Sequence, residues 1–464
     1  MQQYDVIIIG SGQAGNPLAM KMAKAGRKVA LIEKRALGGR CVNDGCIPTK
    51  AMISSAKIAY LSKTSATVGI HNKETVIDMP AIKQRKDTIV ERFNKGTKRN
   101  LARYKDKLDI IMGEATFTGK KELSVAMNDT GETIFLKAEL IFINTGTKPL
   151  VPDIPGLATS TYLTATTLLE LEEVPKRLLI IGAGYIALEL GQLFARLGSD
   201  VHILEASPDF LDREDRDVAN CLLNIMTQEG LHIQTGVHIE KVTQKEKESI
   251  TLSYRKEKDK RTHTITGTHL LVAAGRVPQT ASLKPAASGI KLDGKGYIKV
   301  NNRLETNVKG IYALGDVHGG KQFTHLAYND FAIVYRNLIE GKRLSKRNRL
   351  EPYCVYTDPQ MAQIGLSEDE AIAKGIPVDI AKLPMKIAAR GITTGATQGM
   401  MKALVDPKSK KILGACIIAA EAGELISVIQ MAMQGGLTAE DIRWSIFVHP
   451  SYAETFVTLF NDVL

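Results

Sequence analysis

The chain opens with an apolar run, Tyr4 to Ile9 ("YDVIII"), that stops at Gly10-Ser11-Gly12-Gln13-Ala14-Gly15. A helical spacing of apolar positions follows as far as Gly26, and a second apolar run, "KVALIE", ends at Glu33. Short unbroken apolar runs bounded by turn residues read as strands buried on both faces, so the pattern predicts strand, glycine turn, helix, strand. The same order recurs at "KRLLIIGAGYIALELGQLFARLGSDVHILE", with Gly182, Gly184 and Ala187 in the turn and Glu205 after the second strand. In both copies the acid follows the first glycine by 23 positions.

A lone glycine turn is a weak sign, since any tight connection between strand and helix uses one. Two copies with matched spacing and context point to two dinucleotide-binding units. The first glycine permits the tight turn, the second lets a pyrophosphate approach the backbone, and the third position must be small for helix and strand to pack. Glu33 and Glu205 are then placed to accept from ribose hydroxyls.

"LIFINTGTKP" (Leu140 to Pro149) and "HLLVAAGRVP" (His269 to Pro278) each predict a buried strand that closes one unit. "NNRLETNVKGIYALGDV" predicts a further strand followed by Gly315 and Asp316, at the strand end where ligands dock in such sheets. From Glu351 onward, strands alternate with amphipathic helices and no glycine fingerprint returns. In Glu421 to Gly436 the spacing of Leu425, Val428, Ile429 and Ala432 predicts core or a subunit interface. The chain therefore reads as α/β, with two Rossmann-like dinucleotide-binding domains followed by an α+β domain.

Composition narrows the function classes. With 464 residues, 44% of them hydrophobic, there is chain enough for several domains. No apolar stretch is long and uncharged enough to span a membrane, and no basic leader precedes the first strand, so a soluble cytoplasmic protein is expected. The net charge of +11 is spread over Lys83 to Lys107, Arg255 to Arg261 and Lys342 to Arg349, mostly interleaved with acids and without aromatic residues for stacking bases. That argues against nucleic acid as a partner. A positive field suits anionic cofactors or oxidants.

Of five cysteines, Cys41 and Cys46 lie five positions apart in "GGRCVNDGCIPTK", Gly38 to Lys50. An odd, sparse set is no secreted disulfide framework. Zinc would need further ligands, and no second CxxC or nearby histidine completes a site. Two incidental core cysteines would leave Gly38, Gly39, Asn43, Gly45 and Lys50 around them unexplained. In the first turn of a helix such a pair bridges only if the turn is distorted, which gives a reducible, catalytic bridge. The helix N-terminus is expected to favour the thiolate.

With these segments in view, the chain resembles the flavoprotein pyridine-nucleotide disulfide oxidoreductases, which include glutathione reductase, dihydrolipoamide dehydrogenase and mercuric reductase. "GSGQAG", "GGRCVNDGCIPTK", "GAGYIALE", "AAGRVPQT", "IYALGDV" and "HPSYAE" carry the likeness in the family's order, essentially end to end. "EAGELI" and "LEASPDFLDRED" are most similar to the mercuric-reductase-like branch that includes reactive-chlorine-resistance flavoproteins and hypothiocyanous acid reductases.

The resemblance implies an FAD-binding domain over residues 1–150 and 278–348, an NAD(P)-binding domain over 151–277 and a dimerisation domain over 349–464. FAD is expected at Gly10, Gly12, Gly15, Glu33, Lys34, Gly39, Lys50, Thr145, Gly146, Gly315 and Asp316. NADH or NADPH is expected at Gly182, Gly184, Ala187, Glu205 and Gly275; the carboxylate of Glu205 favours NADH because it repels a 2′-phosphate. Electrons would pass from nicotinamide to flavin to a Cys41–Cys46 disulfide, with Cys46 beside the ring and Cys41 facing substrate. Lys50 and Glu189 resemble the family's ion pair beside the flavin. His449 and Glu454 resemble the pair that serves the other subunit's thiol, which implies a homodimer. No resident metal is implied.

The chain departs from the family pattern at several points. Arg40 replaces the common threonine and is expected to favour a Cys41 thiolate, with Asp44 opposing it. His449 stands where mercuric reductases have tyrosine, and the terminal "TFVTLFNDVL" has no vicinal cysteines, which disfavours a dedicated mercuric reductase. The expected substrate is a small oxidant of the hypothiocyanous acid type. Lipoamide or a low-molecular-weight disulfide ranks second, and mercuric or cupric ion third.

Overall fold

The computed structural model describes residues 1–463 apart from 247 and 258, the latter within the basic Arg255 to Arg261 segment. The chain divides into two compact units: Met1–Ala51, Lys83–Leu150 and Gly275–Arg349 form one; Met52–Ile82, Val151–Ala274 and Leu350–Leu464 form the other.

In the first unit the strands Leu108–Gly119, Val29–Glu33, Gln2–Ile9, Thr133–Ile143 and Ile311–Ala313 lie side by side and parallel, and Glu122–Met127 joins the outer halves of two of them antiparallel. Val6 sits opposite Val29 on one side and Leu140 on the other. Its central residues, Val6 to Ile8, are fully buried because both faces of the sheet are covered, which explains an unbroken rather than alternating apolar run. The strand expected from "NNRLETNVKGIYALGDV" shrinks to Ile311–Ala313. Asn301 Oδ1 accepts from the backbone of Arg303 at 2.8 Å and Glu305 at 3.1 Å, and Leu304 takes a φ of 68°, so a side-chain-built turn replaces the strand's first half.

The second unit holds a parallel sheet in the order His232–Gln234, Asp200–Leu204, Arg177–Ile181, His269–Val272, Tyr162–Leu163. A three-stranded antiparallel sheet spans Val237 to Gly267, and a five-stranded antiparallel sheet follows between Tyr353 and Ala419. This last sheet packs with the helix Ala422–Gly435, where Leu425, Ile429 and Ala432 are buried in a core separate from that of the nucleotide sheet. Among the described residues no helix is long and apolar enough to cross a membrane.

Candidate active site

Glycines place the cysteine loop. Gly38 and Gly39 have φ of 100° and 63°, and a Cβ on Gly39 would lie 2.8 Å from Gly12 Cα, so the loop rests on the first glycine turn. Gly38 N donates to Ser11 O at 3.0 Å, fixing that contact. Cys41 belongs to the short helix Gly39–Asn43, while Cys46 opens a separate helix, Cys46–Thr64. The expectation of one helical turn holding both cysteines is corrected by Gly45: a Cβ there would sit 2.9 Å from Arg40 O, so the chain doubles back and brings the second helix start to the first cysteine.

Both thiols are free in this structure, and they are hydrogen-bonded to each other. Cys46 Sγ also lies 3.3 Å from Thr324 Oγ1. The hydrogen bond to Cys46, then burial, then the Cys46 charge push the Cys41 thiol well up, against the pull of Thr324 and Lys50. These influences run against the thiolate expected at Cys41. Arg40 meanwhile reaches Asp44 at 3.6 Å, and Asp44 is held by Arg35 at 2.8 Å. Lys50 stands one helical turn beyond Cys46, on the same face.

At the first glycine turn, Glu33 reaches back so that Ser11 N donates to it at 2.9 Å and Arg35 N at 2.8 Å. Asn144 Oδ1 accepts from Gly15 N at 3.0 Å, and its Nδ2 donates to Leu314 O at 2.8 Å, tying the turn to two neighbouring strand ends. Lys34 lies half exposed, 3.3 Å from Glu114. Gly315 N donates to buried Asp330 at 2.8 Å, which sets the loop carrying Asp316. Burial pushes the Asp316 carboxyl up, opposed by the Arg276 charge and the Thr147 hydroxyl at 3.3 Å. Beside Gly146 (φ 66°), the Thr145 hydroxyl is buried with no hydrogen-bond partner among the described residues. A buried hydroxyl in want of a partner and a buried carboxyl, next to a glycine turn, fit a ligand rich in phosphate and hydroxyl groups such as FAD.

The second turn repeats the device. Ala183 N donates to Glu205 at 2.6 Å and Ser207 N at 2.8 Å, Gly182 has a φ of 96°, and Ala187 is fully buried. A Cβ on Gly184 meets no protein atom within 4 Å. Glu189 follows on the helix Tyr185–Leu197, buried, and accepts from Tyr356 N at 2.8 Å. Gly275 belongs to the first unit, where its carbonyl accepts from Leu150 N at 2.9 Å. His449 is 75% exposed, and its Nδ1 lies 2.8 Å from Glu454 Oε2. A carboxylate at Nδ1 holds the proton there and leaves Nε2 as the basic nitrogen.

Sequence reading missed Asn144, Thr147, Arg276, Thr324 and Asp330. Arg276 was within reach, because it stands in the quoted "AAGRVPQT"; its guanidinium grips Thr147 through the side chain at 2.7 Å and the carbonyl at 2.8 Å.

Residues 4–330 match the family model of pyridine nucleotide-disulphide oxidoreductases, and residues 351–460 match that family's dimerisation domain. The chain belongs to this family. Its members are FAD-containing, NAD(P)H-dependent disulfide oxidoreductases, and the chain is such an enzyme. It is 36% identical to the probable pyridine nucleotide-disulfide oxidoreductase RclA of Escherichia coli (strain K12), over 100% of both chains. It is 36% identical to a mercuric reductase of Staphylococcus aureus over 97% of this chain and 81% of that one. A dihydrolipoyl dehydrogenase of Thermus scotoductus is 33% identical over 98% of this chain and 96% of its own length. The solved Cu(II) complex of the HOCl-induced flavoprotein disulfide reductase RclA from Escherichia coli superimposes with a TM-score of 0.90 over 100% of both chains.

Proposed function

We propose that this oxidoreductase uses NADH or NADPH to reduce a small sulfur-centred oxidant of the hypothiocyanous acid type through Cys41 and Cys46. The observation that carries this reading is the mutually hydrogen-bonded thiol pair, with Thr324 at Cys46 and Lys50 one turn on. The likeness to a relative described as HOCl-induced supports an oxidant over a metabolic disulfide. In this reading the first glycine turn with Glu33, Thr145, Gly146 and Asp316 holds FAD, the second with Glu205 holds the nicotinamide nucleotide, and residues 349–464 form the homodimer interface. Bound there, FAD would supply the two-electron redox chemistry that links the nicotinamide to the disulfide.

The chain's own groups do the rest. His449 of the partner subunit, oriented through Nδ1, takes the Cys41 proton at Nε2. The Cys41 thiolate attacks the oxidant's sulfur, an S–S bond forms, and the departing hydroxide takes the proton back as water. Cys46 then gives up its proton to solvent and attacks the Cys41 sulfur, thiocyanate leaves, and the disulfide closes. The dithiol is oxidised by two electrons and the oxidant reduced by two. Lys50 would supply the fixed cation beside the reduced cofactor.

Reduction of lipoamide is the second reading, favoured by the near full-length likeness to dihydrolipoyl dehydrogenase. Anaerobic NADH consumption with hypothiocyanous acid and lipoamide as parallel acceptors separates the two. Saturable turnover with hypothiocyanous acid alone supports the first, turnover with lipoamide alone supports the second, and turnover with neither contradicts both.

A further inference from the structure

The second unit carries a histidine and carboxylate cluster that the dithiol chemistry does not use. On the strand Asp200–Leu204, Asp200 and His202 are two apart and so share a face, while Val201 and Ile203 point the other way and are fully buried. The parallel register sets His232, on the edge strand His232–Gln234, directly beside His202. The two imidazoles stack with centroids 4.4 Å apart. Asp200 Oδ1 faces both rings, 3.0 Å from His202 Nε2 and 3.6 Å from His232 Nε2. On its other side Arg177 Nε donates to Asp200 Oδ2 at 2.6 Å, fixing the carboxylate and leaving Oδ1 toward the histidines.

Two features make this a ligand set rather than a surface ion pair. Both ring nitrogens of His202 are buried with no aligned hydrogen-bond partner among the described residues, and the nearby Asp200 Oδ1 acts on Nε2 as an ion-pair partner. A buried imidazole so placed is normally compensated by a partner. The ligand-to-ligand edge of a tetrahedral zinc site with nitrogen and oxygen donors is about 3.3 Å. The two measured edges bracket that value, and one ligand atom from each of the three residues lies within 4.8 Å of the others.

We propose that Asp200 Oδ1, His202 Nε2 and His232 Nε2 bind one Zn²⁺, with water in the fourth position. His232, 58% exposed, turns its ring toward the ion, while Arg177 acts from behind the carboxylate as an orienting partner. The site sits at the end of the nucleotide sheet opposite Glu205 and clamps the edge strand to its neighbour.

The test uses the full-length, FAD-loaded Cys41→Ser/Cys46→Ser double variant, so that the dithiol cannot take the metal. Zn²⁺ alone is titrated against a chromophoric chelator, with and without His232→Asn, a change at an exposed position. The expected result is one tight zinc per chain, weakened at least about tenfold by His232→Asn, and anomalous scattering at the zinc edge among the three side chains. Equal zinc affinity with and without His232→Asn, or zinc located only elsewhere, overturns the proposal.

Discussion

The two glycine turns share a backbone device and differ in what surrounds it. In each, the acid after the second strand bonds the amide that follows the first glycine, through Glu33 to Ser11 N in one and Glu205 to Ala183 N in the other. Their second glycines then diverge. A Cβ on Gly12 would meet Asn144 Oδ1 at 2.6 Å, and one on Gly15 would collide with the Gly10 carbonyl. The equivalent Gly184 faces open space, and the third position is already alanine, Ala187. The first turn needs all three glycines for the protein's own packing; in the second, Gly182 is needed in the same way, a Cβ there lying 2.7 Å from Ala273 O, while Gly184 leaves the space beside it open. That difference suits a cofactor held through many turnovers in one place and a nucleotide that comes and goes in the other.

The most damaging test of this contrast is Gly15→Ala, whose Cβ is driven into backbone. It should yield protein without flavin or no folded protein, read by the visible flavin absorbance of the purified chain and by circular dichroism. The mirror change, Ala187→Gly, should cost only about 1 kcal/mol of helix stability in a denaturant melt. Gly184→Ala should leave folding and flavin content intact while raising KM for the nicotinamide nucleotide roughly tenfold, equivalent to about 1.4 kcal/mol of lost binding, because the methyl occupies the side a pyrophosphate approaches.

Asn144→Ala removes the acceptor of Gly15 N and the donor to Leu314 O, both buried. Stranding those groups should cost about 1–3 kcal/mol each and speed flavin release on dilution. The smallest effect concerns Asp316, whose carboxyl is pushed up by burial. An acid with a folded pKa above its unfolded one favours the fold while protonated, and that advantage is lost as pH rises through the folded value. Flavin-free Asp316→Asn should therefore be more stable than the flavin-free parent at neutral pH, with the difference shrinking as pH falls, measured by denaturant midpoints at both.

Both turns were legible because strand, glycines and acid lie within one short stretch of sequence. The cysteine loop was legible for the same reason, although not its geometry: Gly45 allows a backbone reversal that splits one expected helix into two. Asn144, Thr324 and Asp330 were not legible, since each acts on a loop far away in sequence. Asn144 serves Gly15 from 129 positions on, and Thr324 meets Cys46 from 278 positions on. Nothing local distinguishes that threonine from others on a helix's first turn. The upward push on the Cys41 thiol was also out of reach, because it depends first on how closely Cys46 approaches.

The central claim is that electrons pass through the Cys41–Cys46 pair, and anaerobic reductive titration of the flavin-loaded enzyme tests it most directly. A flavin and a disulfide each accept an electron pair. The wild-type enzyme should therefore take up twice as many electrons per flavin as the Cys41→Ser/Cys46→Ser variant. Equal uptake by the two proteins would contradict the account.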